Sequence, residues 1–92
     1  MRKNKPPVEV KRGEKRTGDV LIREWTKRVG SVMAAERLVG MYPRHLHNWL
    51  NDPDRRFTPE VAQNLSRVSG VPIEAILYRW TPIKELDMWK WA

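Results

Sequence analysis

The chain has no cysteine, a single phenylalanine and no long apolar run. Without cysteine there is no disulfide framework, no thiolate nucleophile and no zinc finger built on Cys. Stretches such as Val20-Leu21-Ile22 fall far short of the roughly 20 residues of a membrane span, or the roughly 7–15 of a signal-peptide core. The pattern is that of a soluble, intracellular protein with no membrane association. Its fold must rest on an ordinary apolar core. No Gly-rich phosphate loop and no nucleophile elbow is present, and the Asp52-Pro53-Asp54 spacing is not that of a calcium loop. The pattern therefore predicts no enzyme, no cofactor and no metal.

In excess is positive charge. Of 92 residues, 18 are Lys or Arg and 11 are Asp or Glu, for a net charge of +7, and the pI is near 10.3. A small domain this basic carries the electrostatic footprint of a nucleic-acid binder. The excess is uneven: residues 1–18 hold seven basic and two acidic side chains, residues 19–80 hold nine and seven, and residues 81–92 hold two of each. Three segments follow. Residues 1–18 have few apolar side chains besides Val8 and Val10 and read as a flexible basic arm. Residues 19–80 form the folded domain, and residues 81–92 a Trp-rich tail with short helical character.

The domain reads as helical throughout. Asp19 is a candidate N-cap, with Leu21, Trp25 and Val29 following at helical spacing and Gly30 as the stop. Ser31 caps a second helix, with Met33, Ala34, Leu38 and Val39 apolar and Gly40 at its end. Pro43 suits the first turn of a third helix whose inner side is Leu46, Trp49 and Leu50. Thr58-Pro59-Glu60 opens a fourth, with Val61, Leu65 and Val68 on one face and Gly70 beyond it. Pro72 opens a fifth, with Ile73, Ile76, Leu77 and Trp80 inward. Thr81-Pro82 begins a further turn with Ile83, Leu86 and Trp89. The expectation is an all-α, compact five-helix domain, since helices this short are marginal alone and must pack on one another.

Residues 31–50, SVMAAERLVGMYPRHLHNWL, carry the densest signal. Two short helices are joined at Gly40, where the chain needs a left-handed residue, and Met41 follows as an apolar plug for the corner. The second helix sends Leu46, Trp49 and Leu50 inward and leaves a polar face of Arg44, His45, His47, Asn48 and Asn51. These features make a helix-turn-helix. Taken with Gly30-Ser31, Arg37–Tyr42, Leu46–Asn51 and Leu65–Leu77, the chain resembles the Cro/repressor (XRE) helix-turn-helix family, the lambda-repressor-like DNA-binding domains, and within it phage Cro proteins and YdaS-type regulators. Two positions depart from that family. Glu36 stands where a small residue usually packs between the two helices, and must escape to solvent or pair, with Arg37 or Arg44 as candidates. Val32 stands where a phosphate-contacting Gln is common.

The resemblance implies that Pro43, Arg44, His47 and Asn48 face base edges. Arg44 suits guanine O6/N7 and Asn48 suits adenine N6/N7. Tyr42, His45 and Asn51 are candidate backbone contacts, and so are Arg55, Arg56 and Thr58 in the loop that follows, although Arg55 and Arg56 also read as part of a plain surface loop that balances Asp52 and Asp54. Lys11, Arg12, Lys15 and Arg16 of the arm could track phosphates, or form only a solubility tail or a protein-docking segment. The same helix face also reads as a plain solvated surface. His45 and His47 at i, i+2 point to different sides of a helix and do not suggest a metal site.

Trp25, Trp49 and Trp80 sit at core spacings. Met88, Trp89 and Trp91 either fold back on the domain or form a dimer or partner contact. The implied function is a sequence-specific transcriptional regulator of a phage, prophage or mobile element, working in the bacterial cytoplasm or nucleoid. It would bind double-stranded DNA as a homodimer through residues 43–51. The alternatives are a protein-binding anti-activator, with the tail as anchor, and an architectural or excision factor.

Overall fold

A computed structural model of the chain describes residues 8–11 and 13–86. Five helices follow one another: α1 (Gly18–Val29), α2 (Val32–Val39), α3 (His45–Asn51), α4 (Pro59–Ser69) and α5 (Ile73–Leu77). A 3-10 turn at Ile83–Glu85 follows them. Among the described residues there is no strand, only an isolated antiparallel bridge between Thr17 and Pro82. The domain is all-α, as the periodicity predicts.

Local signals set most boundaries. Ser31 Oγ accepts the Ala34 N–H at 3.0 Å and starts α2. Thr58 Oγ1 accepts the Val61 N–H at 3.3 Å and starts α4, with Pro59 in its first turn. These are N-cap bonds, each satisfying one of the donors a helix start leaves orphaned. Gly30, Gly40 and Gly70 close α1, α2 and α4.

The start of α1 differs from the expectation. Thr17, not Asp19, is its cap, accepting from the Val20 N–H at 3.3 Å. Asp19 is buried and its carboxylate is engaged elsewhere, so it has no role at the cap. Gly18, counted with the arm in the sequence, is the first residue of α1. A Cβ there would lie 1.9 Å from the Ala75 carbonyl oxygen, so only glycine lets α1 and α5 approach this closely.

The core gathers one stripe from each helix: Leu21, Ile22 and Trp25; Ala35 and Val39; Leu46, Trp49 and Leu50; Ala62 and Leu65; Ala75 and Ile76. Phe57, Val71 and Ile83 close its gaps from the loops. Four of the apolar residues that the helical spacing marks fall outside it: Met33, Leu38, Leu77, which was expected to face inward on α5, and Trp80. Met33 and Leu38 are 60 % and 56 % exposed, because α2 turns its Ala35–Glu36–Val39 side inward. Trp80, predicted to be core, is 56 % exposed: α5 ends at Leu77, so Trp80 stands beyond the helix face that the spacing assumed.

The described part of the basic segment is docked, where the composition predicted a free arm. Val8 is buried and its N–H donates to the Ser69 carbonyl at 2.8 Å. The Glu14 and Arg16 carbonyls accept the Lys84 and Ile83 N–H groups at 2.7 and 3.1 Å. The segment cannot build a core of its own, but Val8 joins one that the helices already provide.

A buried ion pair ties the two ends of the domain together. Arg79 donates to Asp19 Oδ1 at 2.7 Å, and both are almost fully buried. The guanidinium also donates to the Asp52 and Arg55 carbonyls at 3.3 and 3.4 Å and lies 3.7 Å from the Trp49 ring centroid. Removing one member of such a pair strands the other charge, which costs about 3–5 kcal/mol. Asp19→Ala is therefore expected to lower unfolding free energy in urea by about that much. Glu24→Ala, which opens the half-exposed pairs to Arg16 and Arg28, should cost under about 1 kcal/mol.

Candidate nucleic-acid interface

The turn between α2 and α3 is built as the sequence suggested. Gly40 is left-handed at φ 88°, and its N–H and that of Met41 both donate to the Glu36 carbonyl, at 3.0 and 2.9 Å. Met41 is half-buried against the core. The entry to α3 is unlike the expectation. The helix begins at His45, so Pro43 precedes it and lies in the turn. Arg44 occupies the N-cap position in a left-handed conformation, φ 72°, and makes no side-chain cap bond.

Glu36 supplies that cap from α2. Its side chain is buried; Oε1 accepts the Arg44 N–H at 3.2 Å, and Oε2 accepts those of Leu46 and His47 at 2.8 and 3.1 Å. The carboxylate thus neither escapes to solvent nor pairs with the Arg37 or Arg44 guanidinium. Burial of a carboxylate is costly unless its oxygens are satisfied, and three amides at a helix N-terminus do this well. The sequence held a trace of it: an acid among apolar residues of α2, and a third helix lacking a Ser, Thr, Asp or Asn cap of its own.

With Leu46, Trp49 and Leu50 buried, α3 presents Arg44 and Asn51 fully and His47 and Asn48 partly to the outside, with exposed Pro43 beside them. The structure thus brings the expected base-facing set together on one surface. Asn51 donates its amide to the His47 carbonyl at 2.8 Å, which leaves its oxygen as the outward group. Tyr42 is exposed and stacks on His45, with ring centroids 4.3 Å apart.

His45 is a correction. It was grouped with the polar face, but it is buried between Tyr42 and Phe57, whose ring meets it edge-on at 5.2 Å. The left-handed step at Arg44 turns the next residue inward, so His45 is not placed to touch a phosphate.

The remaining candidates divide by their ion pairs. Arg55 and Arg56 are exposed in the loop after α3, and Thr58 spends its oxygen on the α4 cap. Lys11 and Lys15 are exposed. Arg16 is held by Glu14 at 2.9 Å and by Glu24, so it is not available as a phosphate contact. That hydrogen bond holds the Glu14 carboxyl down near 2. Among the described residues, Arg37, Arg44, Arg55, Arg56 and Arg67 have no ion-pair partner, whereas Arg16, Arg23, Arg28 and Arg79 do. Arg12, Met88, Trp89 and Trp91 lie outside the described residues. No group of three His, Asp or Glu side chains is placed to hold a metal ion among the described residues.

Comparison of the chain with protein-family models, curated proteins and solved structures finds no match. Among the described residues, no helix is long and apolar enough to cross a membrane.

Two outcomes follow for this surface. Glu36→Gln leaves an amide nitrogen facing backbone donors, and should lower unfolding free energy by about 1–3 kcal/mol in urea. For His45, burial first, and then the Arg55 charge, lower the pKa, against a smaller opposing pull from Glu36. The unfolded chain therefore takes up this proton at a higher pH than the folded state. Stability is full above the ordinary value of 6.5 and is lost as pH falls through the lowered folded value. The unfolding temperature should fall between about pH 7.5 and about pH 5, and His45→Phe should flatten that slope.

Proposed function

We propose that this chain is a sequence-specific DNA-binding transcriptional regulator of the Cro/repressor helix-turn-helix type, with α3 as its recognition helix. The observation that carries this reading is the outward set of Pro43 and Arg44 in the turn and His47, Asn48 and Asn51 on the short helix it leads into, whose other side is buried in the core. Arg44 reads guanine, Asn48 reads adenine, and His47 donates or accepts beside them. Tyr42, Arg55 and Arg56 hold phosphates on either side, and these set register without adding sequence information. Two copies bind a pseudo-palindromic operator with half-sites about 34 Å apart, one helical turn. Bound beside a promoter in a phage, prophage or mobile element, the dimer blocks polymerase.

A second reading has its own observation. Leu77, Tyr78 and Trp80 form an exposed apolar group at the end of α5, away from the helix-turn-helix row in sequence. A protein-binding module would use such a patch. No gel shift of random duplex at micromolar protein and low salt favours that reading over the first.

Selection of binding sites from random duplex DNA tests the first reading. It should return a symmetric motif. Arg44→Ala should cost about 1–3 kcal/mol on that motif and relax the base preference at one position per half-site. Equal affinity for selected and random duplexes overturns it.

A further inference from the structure

The contacts assigned above leave one part of the α2–α3 surface without a role. A concavity of about 390 Å³ opens between the two helices, lined by Val32, Met33, Met41 and Pro43 together with Arg44 and His47. Its rim is apolar and open: Met33 is 60 % exposed and Pro43 is exposed, while Val32 is half-buried as the first residue of α2. Arg37, one turn along, reaches the Met33 sulfur at 3.6 Å. Glu36 also borders the hollow, but both its oxygens are taken by the α3 amides. The hollow thus presents free guanidinium groups, an apolar wall and no free carboxylate oxygen.

A polyanion with an apolar feature fits that combination. In the major groove of a duplex the base edges offer hydrogen-bond donors and acceptors, and one apolar group, the C5-methyl of thymine. Val32 and Met33 can make no hydrogen bond that reads a base, so methyl contact is the discrimination open to them.

We propose that Val32, Met33 and Pro43 form a thymine-methyl subsite beside the base read by Arg44. The proposal rests on the DNA-binding reading. It assigns α2 a part in base selection, through packing and not through hydrogen bonds. Arg37 steers the neighbouring phosphate, Arg44 reads its base, and the apolar lip selects thymine at the neighbouring step.

The test uses the full chain and the duplex recovered by site selection. Each thymine of one half-site is replaced singly by deoxyuridine, which lacks only the 5-methyl group. At a thymine adjoining the Arg44-dependent position, affinity should fall about fourfold, the worth of one buried methylene. With Met33→Ala, a substitution at an exposed position that the fold tolerates, the same replacement should cost less than about twofold. The proposal is overturned if selective binding persists while every deoxyuridine changes affinity by less than about 1.5-fold. It is equally overturned if the selected half-site has no thymine next to the Arg44-dependent position. Loss of all selective binding to duplex DNA removes the DNA-binding reading, and this proposal with it.

Discussion

The carboxylate of Glu36 accepts the three N–H groups that open α3. The rest of the helix-turn-helix depends on that contact. A helix of seven residues has too few internal hydrogen bonds to stand alone. The residue at its cap position, Arg44, is left-handed and offers no capping oxygen. A left-handed side chain costs roughly 1–2 kcal/mol, and three charge-assisted bonds offset it. The same bonds fix where α3 begins relative to α2, and therefore which side chains look outward. They also turn the helix-start amides inward, so the outer surface at this end is made of side chains and not of backbone donors.

The far end of α3 is held in the complementary way. Arg23 donates to the Leu50 carbonyl and Arg79 to the Asp52 carbonyl, two of the acceptors that a helix end leaves unpaired. An anion thus sits at the N-terminus of α3 and cations at its C-terminus, the arrangement that its macrodipole favours. All three side chains come from other parts of the chain, and Asp19 orients both arginines. The domain therefore holds the short helix at both ends.

This arrangement explains what was legible in the sequence. Ser31, Gly40 and Thr58-Pro59 act within a few residues of themselves, so their signals are local and were read correctly. So were the inner faces of α1 and α3, whereas α4 is turned from the expected Val61–Leu65–Val68 face: Ala62, Leu65 and Ser69 are buried, and Val61 and Val68 only half-buried. Glu36 acts eight to eleven residues away, and Arg79 meets an aspartate sixty positions earlier. Asp19 and Arg79 share no local window, and Glu36 meets α3 only through the fold of the turn at Gly40, which the spacing alone does not specify. Asp19 has the chemistry of a cap and was assigned as one, yet its carboxylate is drawn to Arg79. His45 and Trp80 were misplaced for a related reason. Each was assigned a face from ideal helical phase, and the helix in question begins late or ends early. Val8 illustrates a different limit: composition shows that a segment cannot fold alone, but not that a neighbouring core will accept it.

The net charge takes a new meaning once the ion pairs are placed. The basic first fifth of the chain suggested that attraction for a polyanion resides in an arm. Arg16 is neutralised there by two glutamates, which leaves Lys11 and Lys15 as the exposed cations of its described residues. The helical domain, nearly balanced by count, spends Asp19, Glu24 and Glu36 on internal partners. Arg37, Arg44, Arg55, Arg56 and, on α4, Arg67 are left without an ion-pair partner among the described residues, and the first four belong to α2, the cap of α3 or the loop after it. Four of these arginines lie close along the chain around α3, although Asp52 and Asp54 of the same loop are exposed as well. Under the DNA-binding reading, the charges that bring the duplex in also set the side chains of α3 against its bases.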